Sequence, residues 1–327
     1  MRAVIVKEAG GPEVLQLEEV EDPRAGPGEV RVRVRAAGVN RADLLQRMGL
    51  YPAPRGVRQD VLGMEFAGEV ESLGVGSDGW KVGDRVMGIA PGAAQAELVV
   101  AHERMLLRIP DALDFAAAAA VPEAFLTAHD ALYRQGSLAP GEAVLVHAAG
   151  SGVGTAAVQL AAAGGSRTIG TSRSPRKLEH ARELGLGHGL VVERGAGFSK
   201  AVRELTGGEG VRLIADFVGG PYLDENLRSL AVGGRLVVIG LLGGAKAEID
   251  LSRLMTARLH VMGTTLRSRA PEEKMAVTQA FARQGLPLLA AGKIRAIVDR
   301  VLPASEVRAA HELLAKNDTF GKLVLAF

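Results

Sequence analysis

Along residues 29–35, E-V-R-V-R-V-R, apolar and charged side chains alternate without a break. That is the period of a strand with one face buried and the other in water. Glycine-bearing turns follow at short intervals, in G-V-N-R-A-D (38–43), L-G-M-E-F-A-G-E-V (62–70) and W-K-V-G-D-R-V (80–86). The first third of the chain therefore predicts an irregular antiparallel barrel. From about residue 123 the rhythm changes. Short apolar strands at 143–148, 167–171, 211–218, 234–240 and 259–265 alternate with helical stretches beginning near Thr155, Ser174 and Pro221. Buried strands alternating with helices predict a doubly wound parallel sheet. After Pro271 a long helix and a last strand, G-K-L-V-L-A-F (321–327), are expected, and the alanine run at 116–120 reads as helix.

The chain thus reads as α/β with two domains. One is a β-rich domain formed by 1–122 together with 267–327, and the other is a Rossmann sheet domain at 123–266. A length of 327 residues suits that division. The net charge of +2 and the lack of a basic strip interleaved with aromatics argue against nucleic acid. There is no cysteine among the 327 residues, which excludes disulfides, thiol catalysis and thiolate-held zinc. No signal-peptide core and no run of about 20 apolar residues is present, so a soluble cytoplasmic protein with no membrane partner is expected.

The candidate chemistry begins at H-A-A-G-S-G-V-G-T (147–155), between an apolar strand and a helix. Counted back from Gly154, the dinucleotide fingerprint should carry glycine at positions held here by Ala149 and Ser151. The context still suits a pyrophosphate, because backbone amides and a helix N-terminus converge there. Gly150, Ser151, Gly152 and Val153 are the candidate contacts; a glycine-rich turn with no ligand is the alternative. About 20 residues on, where an NAD site carries an acid for the ribose 2'-hydroxyl, the sequence is G-T-S-R-S-P-R-K (170–177). Ser174 and Pro175 form a helix start, so Arg176 and Lys177 fall where the macrodipole disfavours cations. A 2'-phosphate held by Ser172, Arg173 and Lys177 resolves that conflict and selects NADPH; a solvated basic helix end is the alternative.

Taken together, the stretches 38–47, 62–70, 151–160 and 240–244, with V-P-E-A-F-L-T-A (121–128), T-L-R-S-R (265–269) and F-G-K-L-V-L (320–325), resemble the medium-chain dehydrogenase/reductase superfamily. The resemblance is to its zinc-free, zeta-crystallin-like quinone oxidoreductase branch, most similar to the p53-inducible members. It implies a discontinuous GroES-like catalytic domain around the Rossmann domain, a homodimer or tetramer, and hydride transfer from NADPH to a quinone. Zinc-dependent relatives place cysteine where Asn40 stands and histidine where Met64 stands, so no metal is expected. The resemblance further implies that Asn40 faces the nicotinamide ribose and substrate, Thr127 packs on the nicotinamide and Tyr51 lines the quinone pocket. Gly240, Leu241 and Leu266 approach the nicotinamide end. Lys322 is a further candidate cofactor contact, with solvated surface as its alternative. Asp43 and Glu65 read as structural. Val192 replaces the tyrosine that many relatives carry near the adenosine phosphate.

An enone or alkenal double-bond reductase is the nearest rival. It gains from a positioned acid, and no carboxyl stands out in the sequence as one, so water relayed through Tyr51 is the expected proton source. An NADPH-binding regulatory or RNA-binding protein is the non-enzymatic alternative.

Overall fold

The alternation at 29–35 becomes the strand Glu29–Val39, in a computed structural model that describes residues 1–193 and 197–327. Its apolar positions Val30, Val32 and Val34 are buried against Phe66, Val70, Val86 and Leu106. Each such side chain removed from water contributes roughly 1.5–3 kcal/mol. This strand organises the first of two units, Met1–Leu126 with Leu266–Gly292 and Ala296–Phe327. It pairs antiparallel with Glu65–Leu73, Leu98–His102 and Lys322–Ala326. Arg85–Ile89 and Leu106–Arg108 extend the sheet beyond Glu65–Leu73. The strands of the first third all pair antiparallel, and at the other end of the sheet Val298–Pro303, from the tail, pairs in parallel with Lys322–Ala326.

The tail is richer than the expected helix and strand. Pro271–Gln284 is the long helix, but Leu286–Ala290, Val298–Pro303 and the helix Val307–Lys316 follow before the final strand. Val307–Lys316 packs Val307 and Ala310 on a second core with Val4, Leu15, Leu62 and Leu323. Val298–Pro303 escapes a periodicity reading because four of its six residues are exposed on a sheet edge.

The second unit, Thr127–Thr265 with Lys293–Arg295, carries a six-stranded sheet in which every pairing is parallel. Its spatial order is His188–Val191, Arg167–Ser172, Ala143–Val146, Val211–Asp216, Leu230–Val238, His260–Gly263. That is the doubly wound order, and it reverses between Ala143–Val146 and Val211–Asp216. Ligands in such sheets bind beyond the carboxyl ends of the strands at this reversal. Two short helices, Ser199–Leu205 and Leu251–Thr256, were not foreseen. No helix among the described residues is long and apolar enough to cross a membrane.

Candidate active site

In the first unit, the sequence G-V-N places Asn40 at the start of the helix Arg41–Arg47, where Asp43 accepts a hydrogen bond from the Asn40 backbone amide at 2.7 Å. Asp43 is wholly buried; its carboxylate also accepts from Gly63 N and from Gln95 Nε2. Burial raises its pKa to about 6, against the pull of those hydrogen bonds, Arg267 and Lys322. The Asn40 side chain points at the neighbouring strand, its Nδ2 donating to Glu65 Oε1 at 2.9 Å. Glu65 is also fully buried, and its other oxygen accepts from the Glu123 backbone amide at 2.7 Å. A Cβ on Gly38 would sit 2.1 Å from Glu65 Oε1, so only glycine at that position leaves the carboxylate room.

Lys322 supplies the countercharge. Its ammonium lies 2.6 Å from Glu65 Oε1 and donates to Asn40 Oδ1 and to the Val39 carbonyl. These contacts occupy all three of its donors. Lys322 is therefore buried rather than solvated, and it holds Asn40. With one face of the Asn40 amide on a carboxylate and the other on an ammonium, its orientation is fixed.

Tyr51 is half-buried beside a residue that sequence reasoning did not single out. Arg267, 5% exposed, stacks its guanidinium 5.4 Å from the Tyr51 ring centroid and donates to Pro91 O, Tyr51 O and Gln46 Oε1. Lys274 donates to the Arg267 carbonyl at 3.3 Å. Burial raises the Tyr51 pKa, with Arg267 opposing and Glu123 adding to the rise. Glu123, the second unforeseen residue, is half-buried; burial first, and Glu65 next, raise its carboxyl to about 8, against Lys322 and Arg267. Leu266 is buried in this unit.

The remaining candidates belong to the second unit. Ser151 caps the helix Gly152–Ala163, its Oγ accepting from Gly154 N at 3.0 Å. The Gly152 and Val153 amides precede the first possible intrahelical acceptor, and both residues are half-buried. Two fingerprint positions lack glycine, and beside the first of them Ala148 adopts φ +47°, a left-handed conformation that non-glycine residues take at a cost of order 1–3 kcal/mol. Gly154 is obligatory in this geometry, since a Cβ there would lie 2.2 Å from Ala148 O.

Ser172 ends the strand Arg167–Ser172, and its Oγ accepts from Ser174 N; Ser174 Oγ in turn accepts from Lys177 N. Arg173 is exposed, whereas Ser172 and Lys177 are half-buried at one helix start. Val192 is in the core. Gly240 N bonds to Asp216 O, Leu241 is 55% exposed and Thr127 is half-buried on the helix Pro122–His129.

One buried network at the strand ends was also missed. His147 bonds Thr171 Oγ1 through Nδ1 and Asn226 Oδ1 through Nε2, while Asn226 Nδ2 donates to Asp216. Because Asn226 turns its Nδ2 to Asp216, its Oδ1, which can only accept, faces His147, so His147 carries its proton on Nε2 and accepts the Thr171 hydroxyl on Nδ1. Burial lowers the His147 pKa and keeps the ring neutral. Asp216 also accepts from Val218 N and Gly219 N, fixing the turn beside the sheet reversal.

Comparison with known proteins decides the family. Residues 26–111 match the family model described as the alcohol dehydrogenase GroES-like domain, and 152–283 match the zinc-binding dehydrogenase model. The quinone oxidoreductase of Pseudomonas aeruginosa is 39% identical over 97% of this chain and 96% of that one. The chain belongs to the quinone oxidoreductase family. The human quinone oxidoreductase is 30% identical over 99% of this chain and 97% of its own. A crystal structure of Escherichia coli quinone oxidoreductase complexed with NADPH superposes with a TM-score of 0.88 at 29% identity, covering 100% of both chains. This quinone oxidoreductase family member does not fit the zinc that one matching model's description carries. Asn40 and Met64 are poor zinc ligands, a lysine ammonium already neutralises Glu65, and among the described residues no three of His, Cys, Asp or Glu converge to hold a metal.

Proposed function

We propose that the protein is an NADPH-dependent quinone reductase that works without metal. The observation that carries this reading is Asn40, held between Glu65 and Lys322 in the position where zinc-dependent relatives place a ligand. The cation needed to neutralise Glu65 is built into the chain. When bound, NADPH supplies the hydride, and the protein contributes positioning and exclusion of water.

The second unit fits that nucleotide. Ser151, Gly152 and Val153, with Gly150 behind them, present amides and a hydroxyl to a pyrophosphate. Ser172, Arg173 and Lys177 present a cationic, hydroxyl-bearing helix start to a 2'-phosphate, with no carboxylate among these residues to repel it. Within this unit Thr127, Gly240 and Leu241 serve the nicotinamide end; Leu266 is a candidate of the first unit. In the first unit, Asn40 and Tyr51 orient the substrate, and the Arg267 stack holds the Tyr51 ring in place. A homodimer joined along the edge strand His260–Gly263 completes the proposal; sedimentation velocity should find twice the 34.1 kDa chain mass, and a monomer at micromolar concentration contradicts it.

A second reading, reduction of an enone or alkenal, gains from the raised carboxyl of Glu123, because carbon protonation profits from a positioned acid. NADPH oxidation with 1,2-naphthoquinone, 1,4-benzoquinone and 2-alkenals separates the two. The quinones should turn over with kcat/KM at least about tenfold above any alkenal, a gap of about 1.4 kcal/mol in transition-state stabilisation; the reverse order defeats the quinone reading.

A further inference from the structure

We propose that Glu123 is the acid that protonates the reduced oxygen of the substrate. This rests on the quinone-reductase reading. Water relayed through Tyr51 is the proton source that the sequence suggests, and the structure offers a better one.

The argument starts from which acids are free to act. Both Asp43 and Glu65 are wholly buried, and each of their four oxygens accepts a hydrogen bond from the protein. Neither can present a proton outward without dismantling the network. Glu123 differs. Its backbone amide is tied to Glu65 Oε2, which fixes where the residue stands, but its carboxyl makes no hydrogen bond with the protein among the described residues. A carboxyl anchored through its main chain, with oxygens that no protein donor engages, is the arrangement a proton donor requires.

Charged and titratable groups face it from every element around it. Asp43 comes from the helix Arg41–Arg47, Glu65 from Glu65–Leu73, Lys322 from Lys322–Ala326, and Arg267 and Lys274 from the segment that enters and forms Pro271–Gln284. Tyr51 feels the charge of Glu123 as well. Desolvation first, then Glu65 and Asp43, outweigh Lys322 and Arg267 and lift the Glu123 carboxyl to about 8. It therefore carries its proton at neutral pH, when an ordinary glutamate has lost it.

The step balances as follows. The quinone gains two electrons and one hydrogen as hydride from the dihydronicotinamide, which ends as the oxidised pyridinium. The O–H bond of the Glu123 carboxyl then breaks as a new O–H bond forms on the phenolate oxygen of the reduced substrate. The resulting carboxylate is re-protonated from water. Phenolic oxygens hold their proton at neutral pH, with pKa near ~10, so transfer from a group at about 8 runs downhill.

Glu123→Gln keeps the side-chain shape and leaves the backbone bond to Glu65 intact, and Glu123→Asp restores an acid at shorter reach. In full-length protein without substrate, infrared spectroscopy at pH 7 should show a protonated-carboxyl band that titrates away near 8 and is missing in Glu123→Gln. With 1,2-naphthoquinone and NADPH, Glu123→Gln should lower kcat at pH 7 about tenfold or more while the NADPH Kd stays within about twofold, and Glu123→Asp should recover part of the loss. Wild-type kcat should fall as pH rises through about 8, where the acid form disappears, and this fall should be absent from Glu123→Gln. A Glu123→Gln enzyme with the wild-type kcat and pH profile, or an unchanged carboxyl band, overturns the assignment of Glu123 alone. Wild-type protein that binds NADPH but reduces no quinone overturns the quinone reading beneath it.

Discussion

A lysine buried against a glutamate is costly unless every donor and lone pair between them is used, and Lys322 meets that condition with Glu65, Asn40 and the Val39 carbonyl. Replacing Lys322 with Met removes the cation and leaves Glu65 buried without its countercharge. Lys322→Met should lower unfolding free energy by about 3–5 kcal/mol in a urea titration, and Glu65→Gln added to it should recover a large part. An unchanged midpoint for the single variant would show that the pair contributes nothing net. The stretches that house this network, G-V-N, L-G-M-E-F and F-G-K-L-V-L, stand out in the sequence, but their purpose does not. Gly38 is glycine because Glu65, 27 positions further along, needs the space that a Cβ would fill. Glu123 and Arg267 sit inside quoted motifs and stayed invisible for the same reason. Burial first, and then Glu65, 58 residues away in sequence, raise the Glu123 carboxyl, and both arise only from packing.

Elements were more legible than the residues within them. Strict alternation gave Glu29–Val39 its buried face, and the alternation of apolar runs with helix starts gave the parallel sheet, because those signals depend on neighbours in sequence. The helix Pro175–Arg182 illustrates the limit. Ser174 and Pro175 announce its start, and the cations in its first turn announce a conflict with the helix dipole. In the loop before the helix Gly152–Ala163 the backbone was hidden too, since Ala148 rather than a glycine adopts the left-handed conformation. If the basic helix start exists to neutralise a 2'-phosphate, Arg173→Ala and Lys177→Ala should each weaken NADPH about tenfold or more in a fluorescence titration, and leave NADH within about twofold, as loss of one charge-assisted contact predicts. Equal losses for both nucleotides would mean that these side chains support the fold instead.

At the scale of the molecule, the two units divide the work. The second presents the doubly wound sheet whose strand order reverses beside the Asp216–Asn226–His147 network. The first holds three carboxyls and three cations around Asn40 and Tyr51. The most direct test of the whole account is the rate of NADPH oxidation with 1,2-naphthoquinone by protein stripped with a strong chelator and exchanged into metal-free buffer. Full turnover after stripping, unaltered when Zn²⁺ is returned, is the result expected of a site whose cation is Lys322. Activity that vanishes on chelation and returns with Zn²⁺ would contradict it.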